Sequence, residues 1–184
     1  MKERPHDPQA LNVRSFCADG AQLTGAWPMS GMTRLDDSLF GAADADTAVN
    51  WSAQGSLKRA AAGEGEVWLH LQAQVPVTLQ CQRCLQAVQQ PLQVDRHFRF
   101  VRTEEEAERL DEAAEEDVLV LGQRLNLRDL LEDELILSLP LVPRHEGNCP
   151  APLPVPVDDL DDEGPAPNPF AALAALRASR GGAK

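Results

Sequence analysis

Every odd position from Val67 to Cys81 carries an apolar residue (Val67, Leu69, Leu71, Ala73, Val75, Val77, Leu79, Cys81), while His70, Gln72, Gln74, Thr78 and Gln80 fall between them. A period of two excludes a helix and places the odd side chains on one buried face of a long β-strand. Pro76 interrupts the run and removes one ladder donor, so the strand is expected to bend or to lie at an edge near that residue. A second alternating run, Leu92, Val94, Phe98 and Phe100, follows the segment Cys81-Gln82-Arg83-Cys84 and a short connection ending at Pro91. The two runs predict a β-hairpin whose turn region carries the cysteines.

The rest of the chain supplies what such a hairpin needs as cover. Residues 1–45 mix polar residues, Gly, Pro and isolated hydrophobes that fit neither period, which predicts irregular or short helical elements. Val49, Trp51 and Ala53 alternate as a further strand, with Gly55 expected to break it. Residues 103–117 are a dense acidic block expected as a solvated helix or loop, and Val118 to Leu121 as one more short strand. Asn126 opens the strongest helix signal, with Asp129 three positions on and Leu127, Leu130, Leu131, Leu135 and Leu139 at helical spacings until Pro140 stops it.

Beyond Pro143 the chain turns proline-rich and acidic. Residues 150–167 hold too little apolar surface to fold alone and read as a flexible linker. Asn168 and Pro169 then signal a helix start, with Phe170, Leu173 and Leu176 on one stripe and Arg177 and Arg180 near its end. The expected fold is α+β: a small antiparallel sheet built on the 67–81 and 92–102 hairpin, packed by the 127–139 helix. Residues 1–149 form the single expected domain, and 150–184 the linker and a short C-terminal helix.

Composition narrows the class. Aromatics are 4% of the chain and Tyr is absent, so the core must be built mainly from Leu, Val and Ala. The N-terminal residues are polar, and no segment approaches the roughly 18 uninterrupted apolar residues of a membrane span, so a cytoplasmic protein with no membrane role is expected. In that reducing setting the four cysteines are a matter of metal or thiol chemistry, not of disulfides. A formal net charge of −12 repels a phosphate backbone and suits basic partners, although such acidity also arises simply as a solubility surplus.

Cys81 and Cys84 have the spacing of one edge of a tetrahedral metal site, and Cys149 with His145 four residues before it can complete a set suited to structural zinc. Cys17 is remote in sequence. The alternative, in which Cys81 is a buried strand residue and the others are free thiols, stays open. A thioredoxin-like role fits less well, because that motif belongs at a helix N-terminus. No nucleophile, zinc-protease or phosphate-loop pattern surrounds any of the four histidines, and Glu132, Asp133 and Glu134 read as the solvated side of their helix. No catalytic constellation, small-molecule substrate or further cofactor is therefore expected. For nucleic acid, His97 and Arg99 occupy the outer face of the second hairpin strand, and Arg83 at the turn can extend that basic edge; ordinary charged strand surface is the commoner explanation of such residues.

The segments CQRC at 81–84, EDELILSLPLVPRH at 132–145 with Cys149 shortly after, and PNPFAALAALR at 167–177 together resemble the YceD family, named for large ribosomal RNA subunit accumulation. The family-like positions are Cys81, Arg83, Cys84, Glu132, Asp133, Glu134, Pro140, Pro143, His145 and Cys149, with Asn168, Pro169 and Phe170 in the tail. The resemblance implies a non-enzymatic role in 23S rRNA accumulation and large-subunit assembly. The expected partner is a ribosomal protein or assembly factor, or 23S rRNA or its precursor. A zinc- or thiol-dependent regulatory module unrelated to the ribosome is the competing class.

Overall fold

The computed structural model describes residues 6–41, 46–58, 65–111 and 116–150. The linker and C-terminal helix expected over 150–184 lie outside them, apart from Pro150 itself. The described residues form an α+β fold around one five-stranded sheet whose strands follow chain order, β1 (Gln22–Pro28), β2 (Ala48–Lys58), β3 (Glu66–Gln80), β4 (Ala87–Val101) and β5 (Asp117–Val120). The first four are antiparallel neighbours, and β5 runs parallel to β4. Its connection from β4 carries helix α3 (Glu104–Asp111), in the acidic block.

The hairpin pairs Val67 with Phe100 at its open end and Gln80 with Ala87 at its tip, so the apolar positions of both strands meet on one face. Pro76 lies directly opposite Pro91. Two opposed prolines suit a pair that exchanges no ladder hydrogen bonds. The pairing of β2 with β3 ends at Asn50 opposite Gln74, so Pro76 falls just past it, where its missing donor disturbs no ladder.

Helices α1 (Val13–Ala18), α2 (Thr33–Asp36) and α4 (Leu127–Leu137) cover the apolar face, with Phe16, Leu35, Leu127, Leu131 and Leu135 fully buried against Val49, Leu69, Leu71 and Phe98. Asn126 caps α4 by accepting a hydrogen bond from the Arg128 amide. Leu11 and Leu125 exchange backbone hydrogen bonds of 2.8 and 2.9 Å, tying the start of α4 to the N-terminal segment.

Three expectations need correction. The N-terminal segment is not only irregular and helical, because it contributes β1 as an edge strand; tertiary pairing with β2 supplies the order that its mixed pattern lacks. Gly55 does not break β2, which runs through it to Lys58. A Cβ there would come within 2.7 Å of Phe16 Cδ1 and 2.9 Å of Cys17 Cα, so the glycine is the gap through which α1 reaches the sheet.

The acidic triplet is the third. Glu132 and Glu134 are only 6% and 7% exposed, contrary to a solvated helix face. Glu132 Oε1 accepts from the backbone amides of Arg34 and Leu35, at 2.8 and 3.1 Å, at the start of α2, and Oε2 accepts from the Arg34 guanidinium. Glu134 Oε2 accepts from Arg96 Nε at 3.1 Å, which pins α4 to β4. Buried carboxylates persist where charged and backbone donors satisfy them.

Candidate metal centre

The hairpin tip is a tight turn shaped by its backbone. Leu85 N–H donates to the Cys81 carbonyl at 2.8 Å and Cys81 N–H to the Gln86 carbonyl at 2.9 Å. Leu85 adopts φ 61°, the left-handed conformation that non-glycine residues take up only where the surroundings impose it. The turn buries the sulfurs of Cys81 and Cys84 side by side, 0% and 4% exposed. The pair therefore belongs to a hairpin turn and not to a helix N-terminus, where a redox pair would sit.

The second half arrives from the segment that follows α4. Pro140 ends the helix, Gln82 N–H donates to the Pro143 carbonyl at 2.8 Å, and Gln90 Nε2 reaches the Arg144 carbonyl at 3.5 Å. These contacts lay residues 143–149 along the tip. Cys81 Sγ then stands 3.9 Å from Cys149 Sγ, and Cys84 Sγ 3.6 Å from His145 Nδ1. All four donor atoms lie within 4.8 Å of one another, close enough to hold a metal ion.

Two neighbours orient this set. His145 Nε2 donates to the Ala87 carbonyl at 3.1 Å, which holds the ring with Nδ1 turned toward the sulfurs. Arg83, between the two cysteines, donates from Nε to Cys149 Sγ at 3.0 Å and from its terminal nitrogen to the Gly147 carbonyl. Burial raises the Cys81 pKa, but the backbone donors of Cys84, Arg83 and His145 and the His145 side chain outweigh it and bring it to about 5. Cys84 is held above its ordinary value, first by burial and then by the sulfurs of Cys149 and Cys81 beside it. Cys17 stands apart, its thiol donating to the Trp68 carbonyl at 3.1 Å, and burial pushes its pKa up to about 11.

The basic positions do not form one edge. Arg83 is at the tip and engaged with the sulfur cluster, whereas His97 and Arg99 sit toward the other end of β4, ten residues or roughly 33 Å of strand beyond Ala87. Arg99 is matched by Glu66 at 2.7 Å, with Glu116 at 4.0 Å. His97 stacks on His70, ring centroids 4.0 Å apart, and burial followed by the charge of His70 lowers its pKa. His70 Nε2 is in turn 2.6 Å from Asp95 Oδ1, a cluster absent from the sequence reading. The signal was present in the hairpin register, since opposing Pro76 to Pro91 also opposes His70 to His97.

The family model described as "Large ribosomal RNA subunit accumulation protein YceD" matches residues 69–177, a span that contains both halves of the cysteine and histidine set. The chain belongs to the YceD family. A curated YceD relative from Haemophilus influenzae, itself named a large ribosomal RNA subunit accumulation protein, is 36% identical over 107 residues, or 56% of this chain. The matched region spans 62% of that relative's length. No solved structure matches the chain. Among the described residues no helix is long and apolar enough to cross a membrane.

Proposed function

We propose that this chain is a non-enzymatic, cytoplasmic factor in ribosome biogenesis that supports accumulation of large-subunit rRNA by binding, and that a structural zinc ion held by Cys81, Cys84, His145 and Cys149 shapes its binding surface. The convergence of those four donors carries the structural part of the reading. In a tetrahedral site with Zn–S of about 2.3 Å and Zn–N of about 2.05 Å, sulfur–sulfur edges are about 3.8 Å and sulfur–nitrogen edges about 3.5 Å. The separations of 3.9 and 3.6 Å match them. Three thiolates and one imidazole are also the soft donor set that selects zinc over magnesium or calcium. Bound there, the ion would staple the segment after α4 to the hairpin tip, and four protein ligands leave no open position for catalysis.

The biological part rests on family membership and on the name of the Haemophilus influenzae relative. A net charge of −12 favours a basic ribosomal protein or assembly factor as the direct partner. The exposed Leu85, Leu141 and Val142 near the tip offer apolar surface for such a contact. His97 and Arg99 are the positions through which precursor rRNA would be touched.

Depletion of the protein followed by gradient analysis of ribosomal particles tests the role, with a deficit of large subunits and their rRNA expected. Unchanged large-subunit levels would reject it. Capture of a basic ribosomal protein, with no retention of large-subunit rRNA fragments at low salt, favours the protein partner; the reverse pattern favours direct RNA contact.

A further inference from the structure

The sheet face opposite the helices carries a second cluster of metal-ligating side chains, far along the hairpin from the cysteines. His70 and His97 are direct cross-strand partners in β3 and β4, and Asp95 stands one same-face position away, opposite Gln72. Their ligand atoms lie within 4.8 Å of one another. His70 Nε2 is 2.6 Å from Asp95 Oδ1, and Gln72 Nε2 donates to the other carboxylate oxygen at 2.9 Å. An amide holding the second oxygen of a carboxylate is the kind of support that orients a metal ligand.

We propose that His70, Asp95 and His97 form a second metal site that takes an imidazole-preferring divalent transition ion on the open face of the sheet. Two imidazoles and a carboxylate suit zinc, nickel, cobalt or copper, and the Irving–Williams order ranks copper first among them. Three protein ligands leave the remaining positions to water, and Asp95 and His97 are exposed, so this ion should exchange readily and bind more weakly than one held by three sulfurs and an imidazole.

The surroundings permit a cation. Lys58 lies over the Trp68 ring at 3.3 Å, and Arg99 is neutralised by Glu66. The ring planes of His70 and His97 are 8° from parallel, so their lone pairs run side by side and one ring must turn to converge on an ion. His97, exposed at the surface, is the one free to do so. The long paired strands hold the backbones of all three residues in register meanwhile, so little else has to be ordered on binding.

Cobalt(II) titration of the full-length protein tests the proposal independently of the sulfur site, because cobalt on thiolates gives an intense sulfur-to-metal absorption that a nitrogen and oxygen site lacks. Wild-type protein freed of its zinc with a chelator is expected to bind two cobalt ions per chain by equilibrium dialysis, the weaker one without a sulfur band. His97→Ala and Asp95→Asn, both at exposed positions, should each drop the ratio to one and keep the sulfur band. Cys84→Ser should do the opposite, losing the sulfur band and keeping the weaker ion. If wild type shows no ion free of the sulfur band, or if that ion persists in both His97→Ala and Asp95→Asn, the site does not exist.

Discussion

His145 faces Cys84 with one ring nitrogen, 3.6 Å from the sulfur, and holds the Ala87 carbonyl with the other at 3.1 Å. The same ring therefore joins the segment after α4 to both the cysteine turn and the strand that leaves it. Loss of this residue should loosen the tip more than the sheet, because its two contacts are to the cysteine turn and to the first residue of the strand that leaves it.

Freshly purified protein is expected to carry one zinc per chain, measured by elemental analysis, with the His70 cluster giving up its ion on dialysis. Cys84→Ser and His145→Ala should each abolish that zinc, while Cys17→Ser leaves it in place. The Tm should fall by about 5–10 °C in the two zinc-free variants, at roughly 2–4 °C per kcal/mol for a chain of this size. Hydrogen exchange should accelerate at 81–86 and 143–149 and stay slow in the centre of β3.

Glu132→Ala removes the acceptor for two backbone amides and a guanidinium at a position 6% exposed. A loss of about 2–4 kcal/mol in urea denaturation is expected, since buried donors are left without partners. Asp133 also pairs with Arg34, but both side chains are half exposed, and Asp133→Ala should cost about 0–1 kcal/mol. Equal effects would contradict the assignment of Glu132 as the anchor of α2.

Gly55→Ala places a methyl group against Phe16 and the Cys17 backbone at separations below 3 Å. Backbone cannot move aside as a flexible side chain can, so α1 must lift from β2. About 1–3 kcal/mol of destabilisation is expected, with unchanged zinc content.

Cys17 gives the stability profile an alkaline limb. Its thiol titrates at about 11 in the folded protein against 9.0 when unperturbed, with burial the main cause. A raised pKa means the folded state favours the neutral thiol, so stability is full below pH 9 and declines as pH rises from there through about 11. The decline should amount to about 1–2 kcal/mol, at ~1.4 kcal/mol per pKa unit and with allowance for water penetration. Cys17→Ala should flatten this limb, and native Cys17 should resist alkylation at neutral pH.

Local pattern was enough to determine the hairpin, its cysteine tip and the capped leucine helix, because each rests on interactions a few residues apart: side-chain alternation along a strand, a turn between two runs, an asparagine accepting from the amide two residues on. Opposed prolines even encode the register. What only the tertiary structure decided involves partners far apart in the chain. Gly55 reads as a breaker until Phe16 is seen to fill the space above it. Glu132 and Glu134 read as solvated until α2 and Arg96 meet them. The second half of the metal centre depends on Gln82 capturing the Pro143 carbonyl, a contact that no spacing announces. Burial and long-range hydrogen bonding are properties of the assembled core, and a residue's own neighbours in sequence carry no record of them.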